Sequence, residues 1–471
     1  MKTIFVIIIA GLLVGCSTDH PDSRISEINL SLPERWSASK EAQAGIDTNW
    51  IYQVGGQNGE RIVKEALQSN PQLSVAAERV QQATALARTA KAQRLPSVAA
   101  GVDAARTKRI FVGFPFGGGG GIPSSDFETY TSNFSVSWEP DIWGFKKAGQ
   151  EALIANAQAE EQAYSAAKAS LAAQVLRSWF AIAEANEQLV LVSEADQLYR
   201  TTLELVRERY EMALVDDGGA VAQLRIAESE VATNQERTAQ YQGIRDQAIR
   251  QLETLLGRYP EGGLNGLLRL PKTPPSPPAG LPSQLLLRRP DILESERRFA
   301  SAGRLLKQGK LAFFPSLTLT SSAGTTTDSL ANIFKSDFGV WSLASGLFQP
   351  IWAGGALRSE YDRLKSEERL ALANLQSVVL TAFKEVESAL KEEEILIQRE
   401  KSLKEALKLA KSATESATEE YSAGTGDALT LITSQSKQIQ LASRLATLNR
   451  LRLDNRITLH LALGGDFTLS K

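Results

Sequence analysis

The prolines decide what this chain can fold into. None lies between Pro140 and Pro260 and none follows Pro350, which leaves two stretches each more than 100 residues long. Both are rich in Ala, Leu, Glu, Gln, Lys and Arg, the strong helix formers, whereas an interior proline costs a helix about 3 kcal/mol. Within each stretch apolar residues recur in steps of four and three. One seam runs through Leu171, Val175, Ile182, Val192, Tyr199 and Val206 to Tyr210, the other through Leu375, Val379, Val386, Leu396 and Ala417 to Tyr421. That rhythm averages about 3.5 residues, the period of helices wound left-handedly around each other. A helix beginning at Phe145 and running to the first glycine-rich break would be about 100 Å long at about 1.5 Å per residue. Helices of that length need neighbours of the same length.

Each long helix stops at a turn and a second helix returns. The turns read MALVDDGG at 212–219 and YSAGTGD at 421–427, where glycines break the helix and aspartates suit the next N-cap. The returning helices, over 221–256 and 429–463, end on the similar phrases LLG and LALG. Two matching hairpins point to an internal repeat. Asn70-Pro71 opens a helix that closes on Arg94-Leu95-Pro96, and Arg289-Pro290 opens another that closes on Phe313-Phe314-Pro315. WEPDIWG at 138–144 answers to FQPIWAG at 348–354. Each half therefore reads helix, Pro, strand, loop, strand, Pro, long helix, tip, return helix.

The strands expected over about 97–106, 129–138, 316–325 and 338–347 alternate in polarity. Tyr130, Ser132, Phe134, Val136 and Trp138, a mostly apolar face, alternate with Thr131, Asn133, Ser135 and Ser137, and Leu317 and Leu319 alternate with Thr318 and Thr320. Strands of roughly 9–11 residues with one apolar face suit a transmembrane barrel. Four cannot close one, since single-chain barrels begin at about eight strands, and an open edge in lipid leaves backbone groups without partners. Sister copies must complete the sheet, and three copies give twelve strands.

The chain opens MKTIFVIIIAGLLVGCST, a positive residue followed by an apolar run too short to span a bilayer. Its end, Leu13-Val14-Gly15-Cys16, resembles the bacterial lipoprotein box, in which the cysteine is lipidated and becomes the new N-terminus. Ser17 stands where an aspartate would favour inner-membrane retention, so the outer membrane is the expected destination. Cys16 is the single cysteine, which leaves no intramolecular disulfide. The resulting division is a signal peptide at 1–15, a lipidated extended segment at 16–60, a first repeat at 61–260, a Pro-rich linker at 261–283 and a second repeat at 284–471.

These residues resemble the TolC-type outer-membrane efflux proteins, particularly the lipoprotein branch that serves RND (resistance–nodulation–division) pumps. The resemblance is carried by LLLRRPDILESERRFASAGRLLKQGKLAFFPSLTLTSSAG at 285–324, the QPIWAGG turn at 349–355, the YSAGTGDALTL tip at 421–431 and the lipobox. It implies a mainly α fold with a membrane β-barrel portion. A homotrimer would form a 12-stranded barrel continuous with a periplasmic α-barrel of long hairpins. It also implies passive conduction, with an adaptor protein and an inner-membrane RND pump as partners. At the tip, the resemblance makes Tyr421 a latch element. The family's nearby arginine is replaced by Gly426, and its acidic-ring positions are occupied by Thr430 and Thr433. Asp427, or the pair Asp216 and Asp217, is left either to supply a cation-attracting charge or simply to cap helices. Tyr210 is the corresponding candidate in the first tip.

Other functions find little support. A net charge of −2 gives no electrostatic case for nucleic acid. FPFGGGGGIP at 114–123 has no following Gly-Lys-Ser/Thr and reads as a loop between strands, not a phosphate cradle. His20 and His460 have no ligand-spaced companions, Arg288 and Arg289 read as a structural pair, and Trp138, Trp143, Trp341 and Trp352 suit strand-end girdles or packing. No cofactor is expected beyond the lipid on Cys16, and no catalytic constellation is present. Two rival readings remain: the exit duct of a type I protein secretion system, and a non-conducting, lipid-anchored coiled-coil scaffold. Lipidation and the Arg-Arg-Pro-Asp phrase oppose the first, and the alternating strands oppose the second.

Overall fold

The computed structural model describes residues 36–37, 49–110, 124–212, 218–264, 268–277, 288–465 and 467. Cys16, His20, Asp216, Asp217 and the glycine-rich segment at 114–123 lie outside them. In chain order the elements are α1 (Trp50–Ser69), α2 (Pro71–Ala92), β1 (Ser97–Ile110), β2 (Ser124–Trp138), α3 (Phe145–Met212) and α4 (Gly218–Leu255). The second half supplies α5 (Pro290–Leu311), β3 (Ser316–Thr327), β4 (Gly339–Phe348), α6 (Ala356–Ser422) and α7 (Ala428–Ala462). The fold is mainly helical, with long helices and four strands. The chain forms two compact units. One contains Gln81–Ala159 and Glu296–Asn374; the other contains Ile28–Val80, Glu160–Ser295 and Leu375–Lys471.

In the strand unit, the four strands form one antiparallel sheet in the order β1-β2-β3-β4. β1 and β2 extend beyond the alternating cores at 97–106 and 129–138, toward the segment joining them. The extensions are charged, so polarity does not mark them. Arg106 instead holds Asp126 and Glu128 across the ladder at 3.7 and 3.4 Å. Val98, Val102, Phe134, Trp341, Leu343 and Leu347 are all exposed. A sheet in a water-soluble sandwich would bury such a face.

In the helical unit, the seams are buried as their spacing requires. Leu171, Val175, Ile182, Ala185, Val192, Tyr199 and Val206 are buried on α3, and Leu375, Val379, Ala382, Val386, Ala389, Leu396, Ala410 and Ala417 on α6. Glu393, four residues after Ala389 and three before Leu396 on the same face of α6, is polar and buried too. Arg456 reaches it at 2.8 Å, and Asn455 donates to its other oxygen at 3.1 Å, which offsets the desolvation of the carboxylate. The main core gathers Trp50, Val63, Leu176, Phe180, Leu252, Leu453 and Ile457.

The segment at 16–60 is not extended throughout, because α1 begins at Trp50. Its glycines disguise it. Gly56 has φ 63° and breaks the helix. Gly55 and Gly59 let α1 press onto α3, where an added Cβ would stand 2.9 and 3.1 Å from the Leu176 side chain. Glycine here serves close approach, not disorder.

The repeat extends to the way each return helix is finished. Asn70 Nδ2 donates to the Leu255 carbonyl at 2.8 Å, near the end of α4. Arg289, at the matching position before Pro290, donates through Nη1 to the Ala462 carbonyl at 3.2 Å, near the end of α7. Both satisfy carbonyls that a helix end leaves without intrahelical partners. Arg289 also pairs with Asp291 at 2.6 Å and Glu385 at 2.7 Å. It is a structural residue.

Candidate functional site

The second tip is built by local backbone chemistry. α6 ends as Gly424 turns to φ 83°, with the Gly424 N–H bonded to Tyr421 O and the Thr425 and Gly426 N–H groups to Glu420 O. This closes the carbonyls of the last turn in the manner glycine permits. α7 then begins at a complete N-cap. Asp427 Oδ1 accepts from the Leu429 and Thr430 N–H groups at 2.8 and 3.0 Å, and Oδ2 accepts from the Thr430 hydroxyl at 2.6 Å. That hydroxyl, with the backbone donors, holds the Asp427 carboxyl below its ordinary range. Thr433 turns its hydroxyl back to the Leu429 carbonyl at 2.7 Å. Asp427, Thr430 and Thr433 are thus exposed, and their hydrogen bonds serve the first turns of α7.

Tyr421 is placed differently. It is 4% exposed and packs with Val206, Ala227, Ala417, Ala428, Leu431 and Ile432, which come from both hairpins. Arg209, in the last turn of α3, lies with its Cζ 4.4 Å from the Tyr421 ring centroid. Its Nη1 donates to the Gly426 carbonyl at 3.2 Å. A single guanidinium therefore holds both the ring and the turn of the other hairpin. Burial pushes the Tyr421 hydroxyl above its ordinary pKa, and the Arg209 charge opposes this. Tyr210, which the repeat equates with Tyr421, is 42% exposed and stands outside this cluster.

Behind the tip, polar links join α3 to α7 along their antiparallel course. Thr202 and Gln435 exchange hydrogen bonds at 3.0–3.2 Å in a fully buried position. Gln188 donates to the Ser443 carbonyl at 3.0 Å. Glu184 accepts from Thr447 at 2.6 Å and pairs with Arg450, which also pairs with Asp454. Arg177 donates to the Thr458 hydroxyl at 2.7 Å. Burial raises the Asp454 pKa to about 6, against the pull of Arg450 and Arg177. Sequence reasoning named Tyr421 and missed Arg209 and this ladder. Heptad spacing reports what faces a helix's own seam, and these residues flank it.

The described residues of the tip serve packing, capping and hydrogen bonding of the hairpin ends. Among the described residues no group of three or more His, Cys, Asp or Glu is placed to hold a metal. His460 is buried, its ring stacked on Trp50 at 5.5 Å and 15°. No described helix is long and apolar enough to cross a membrane. What the arrangement does is hold two hairpin ends together.

Comparison with known proteins agrees with this picture. The family model described as "Outer membrane efflux protein" matches residues 62–258 and 281–465, one match in each half. The pyoverdine export outer membrane protein OpmQ of Pseudomonas putida is 27% identical, covering 96% of this chain and 95% of its own. The probable outer membrane lipoprotein SilC of Salmonella typhimurium is also 27% identical, covering 99% and 97%. Among solved structures, the outer-membrane channel OprN superimposes with a TM-score of 0.85 at 23% identity, over 94% of this chain and 98% of that one.

Proposed function

Since the chain belongs to the outer membrane efflux protein family and is an outer-membrane efflux channel, we propose that it is the exit duct of a tripartite efflux system. It conducts passively what an inner-membrane RND pump delivers through a periplasmic adaptor. Three copies complete the duct, and a lipid on Cys16 anchors each. The observation that carries this reading is the four-stranded sheet, whose apolar side chains are exposed and whose outer strands β1 and β4 each lack a second neighbour among the described residues. In lipid, unpaired backbone groups cost several kcal/mol each, so the sheet is stable there only when closed.

The tip contact between Arg209 and Tyr421 is the gate element of that duct. Asp427 caps α7, with Thr430 and Thr433 supporting the same turns, and contributes no cation-selective ring. Asp216 and Asp217 retain the candidate charge at the first tip. The relatives named for pyoverdine export and as a probable lipoprotein support a small-molecule cargo and the lipid anchor, respectively. The test is reconstitution of the purified oligomer into planar bilayers, together with co-purification from cells expressing the pump and adaptor. Discrete single-channel currents and a captured adaptor support the reading. A particle without conductance overturns it.

A further inference from the structure

Between the first hairpin and α7 lies a groove of about 440 Å³, walled by α3, α4 and α7 within the helical unit of one copy. That size is ordinary for a small-molecule site, as is an apolar wall with a few convergent polar groups. Leu191, Val192, Ile226 and Ile432 supply the apolar wall. Toward one end the hydroxyls of Tyr241 and Ser443 meet at 3.3 Å and join α4 to α7.

Two features set the groove apart from a packing gap. The first is charge. Arg237 of α4 and Lys437 of α7 both line it, and neither makes an ion pair among the described residues. Glu230 is the one acid among the lining residues, roughly two turns from Arg237 along α4, or about 10 Å. Two cations brought to one groove from different walls, neither paired with a carboxylate, repel each other until an anion joins them. The second feature is an orphaned acceptor. Gln188 also lines the groove and is 1% exposed. Its Nε2 donates to the Ser443 carbonyl at 3.0 Å, and because that carbonyl can only accept, the amide cannot be turned round. Its Oε1 is left buried with no hydrogen-bond partner among the described residues. Native proteins leave few such atoms, since an unsatisfied buried acceptor is costly.

We propose that this groove binds a small amphipathic organic anion. The acid group sits with Arg237 and Lys437, the apolar body lies along Leu191, Ile226 and Ile432, and an amide N–H or hydroxyl donates to Gln188 Oε1. A water alone satisfies the amide but does not neutralise the cations. Because the lining residues come from one copy, the site is independent of how copies assemble, and the duct reading stands or falls separately.

The experiment is calorimetric titration of the full-length protein in lipid nanodiscs with N-octanoylglycine, against empty nanodiscs. This probe carries a carboxylate, an amide N–H and a short apolar tail. N-octanoyl-N-methylglycine lacks only the N–H, and octylamine reverses the charge of the head. Saturable binding of the first is expected, several-fold weaker binding of the second and none of the third. Lys437→Gln, at an exposed position, is expected to weaken binding of N-octanoylglycine about tenfold, the loss of one charge-assisted contact. Gln188→Leu is expected to abolish the difference between the two acylglycines, and their comparison on the parent tests the same contact without a variant. No saturable heat beyond that of empty nanodiscs overturns the site, whether water or a neighbouring copy fills the groove. Equal affinity of the parent for the two acylglycines overturns the contact with Gln188, and unchanged affinity in Lys437→Gln overturns the placement of the acid group.

Discussion

The Arg209 guanidinium sits 4.4 Å from the centre of the Tyr421 ring and donates to the Gly426 carbonyl, so the first hairpin clasps the turn of the second. Gly426, where the resemblance implies an arginine, has no side chain, and the cation against the Tyr421 ring comes from the first hairpin. A cation–π contact of this kind is worth about 1 kcal/mol when partly buried, about fivefold in an open-to-closed ratio. Arg209→Ala and Tyr421→Ala are each expected to raise the time-averaged single-channel current several-fold. Tyr421→Phe, which keeps the ring, is expected to leave it near the parent value. Equal currents from Arg209→Ala and the parent would remove the clasp from the gate.

The contrast between Tyr421 and Tyr210 shows where sequence stops being legible. Both end a heptad seam, and both are matched by the repeat, yet one is buried and the other is 42% exposed. Periodicity correctly placed the hairpins, the seams on α3 and α6, and the alternating strands, because each of those is a property of one helix or one strand. It did not find Arg209, Thr202 or Glu184. Their roles depend on how α3 is aligned with α7, which are separated by more than 200 residues and joined by no local rule. The start of α1 was missed for the opposite reason. Gly55 and Gly59 lower helix propensity locally, and their benefit appears only against Leu176 and Trp179.

Asp427 offers a way to separate capping from charge. Both of its oxygens are engaged by the first turn of α7. Asp427→Asn keeps an acceptor for the Leu429 and Thr430 N–H groups and is expected to leave cation preference unchanged. Asp427→Ala removes the cap, so amide hydrogen exchange should accelerate over residues 428–432. Because the native carboxyl is held below its ordinary range, the cap's contribution is present at neutral pH and is lost as pH falls through that lowered value. A changed reversal potential for Asp427→Asn would restore the carboxylate to a selectivity role.

Gly257 and Gly354 share a left-handed backbone, φ 68° and 60°, but not the same surroundings. At Gly257 a Cβ would lie 2.4 Å from the Ser69 carbonyl oxygen, where α4 ends against α1, whereas at Gly354 nothing stands within 4 Å. Gly354→Ala is expected to cost about 1 kcal/mol, the left-handed penalty alone. Gly257→Ala adds a backbone collision and is expected to cost about 3 kcal/mol. Thermal melting of the two variants checks the order, and equal midpoints would contradict it.

Asp454 makes the stability of the α3–α7 contact depend on pH. The groups facing it are Arg450, Arg177 and Glu184, and burial outweighs the two cations to raise its pKa to about 6. An unfolded aspartate titrates at about 3.9. The folded protein therefore binds this proton more tightly than the unfolded chain does. Its stabilising effect is complete below about pH 4 and is lost as pH rises through about 6. At pH 7.5 the charged carboxylate costs stability relative to its protonated form, on the order of 2–3 kcal/mol with the attraction of Arg450 already included. Asp454→Asn keeps an acceptor for Arg450 and removes the charge. It is expected to raise the thermal midpoint at pH 7.5 and to leave it nearly unchanged at pH 4. A variant less stable than the parent at pH 7.5 would mean that the ion pair with Arg450 outweighs the burial of the carboxylate.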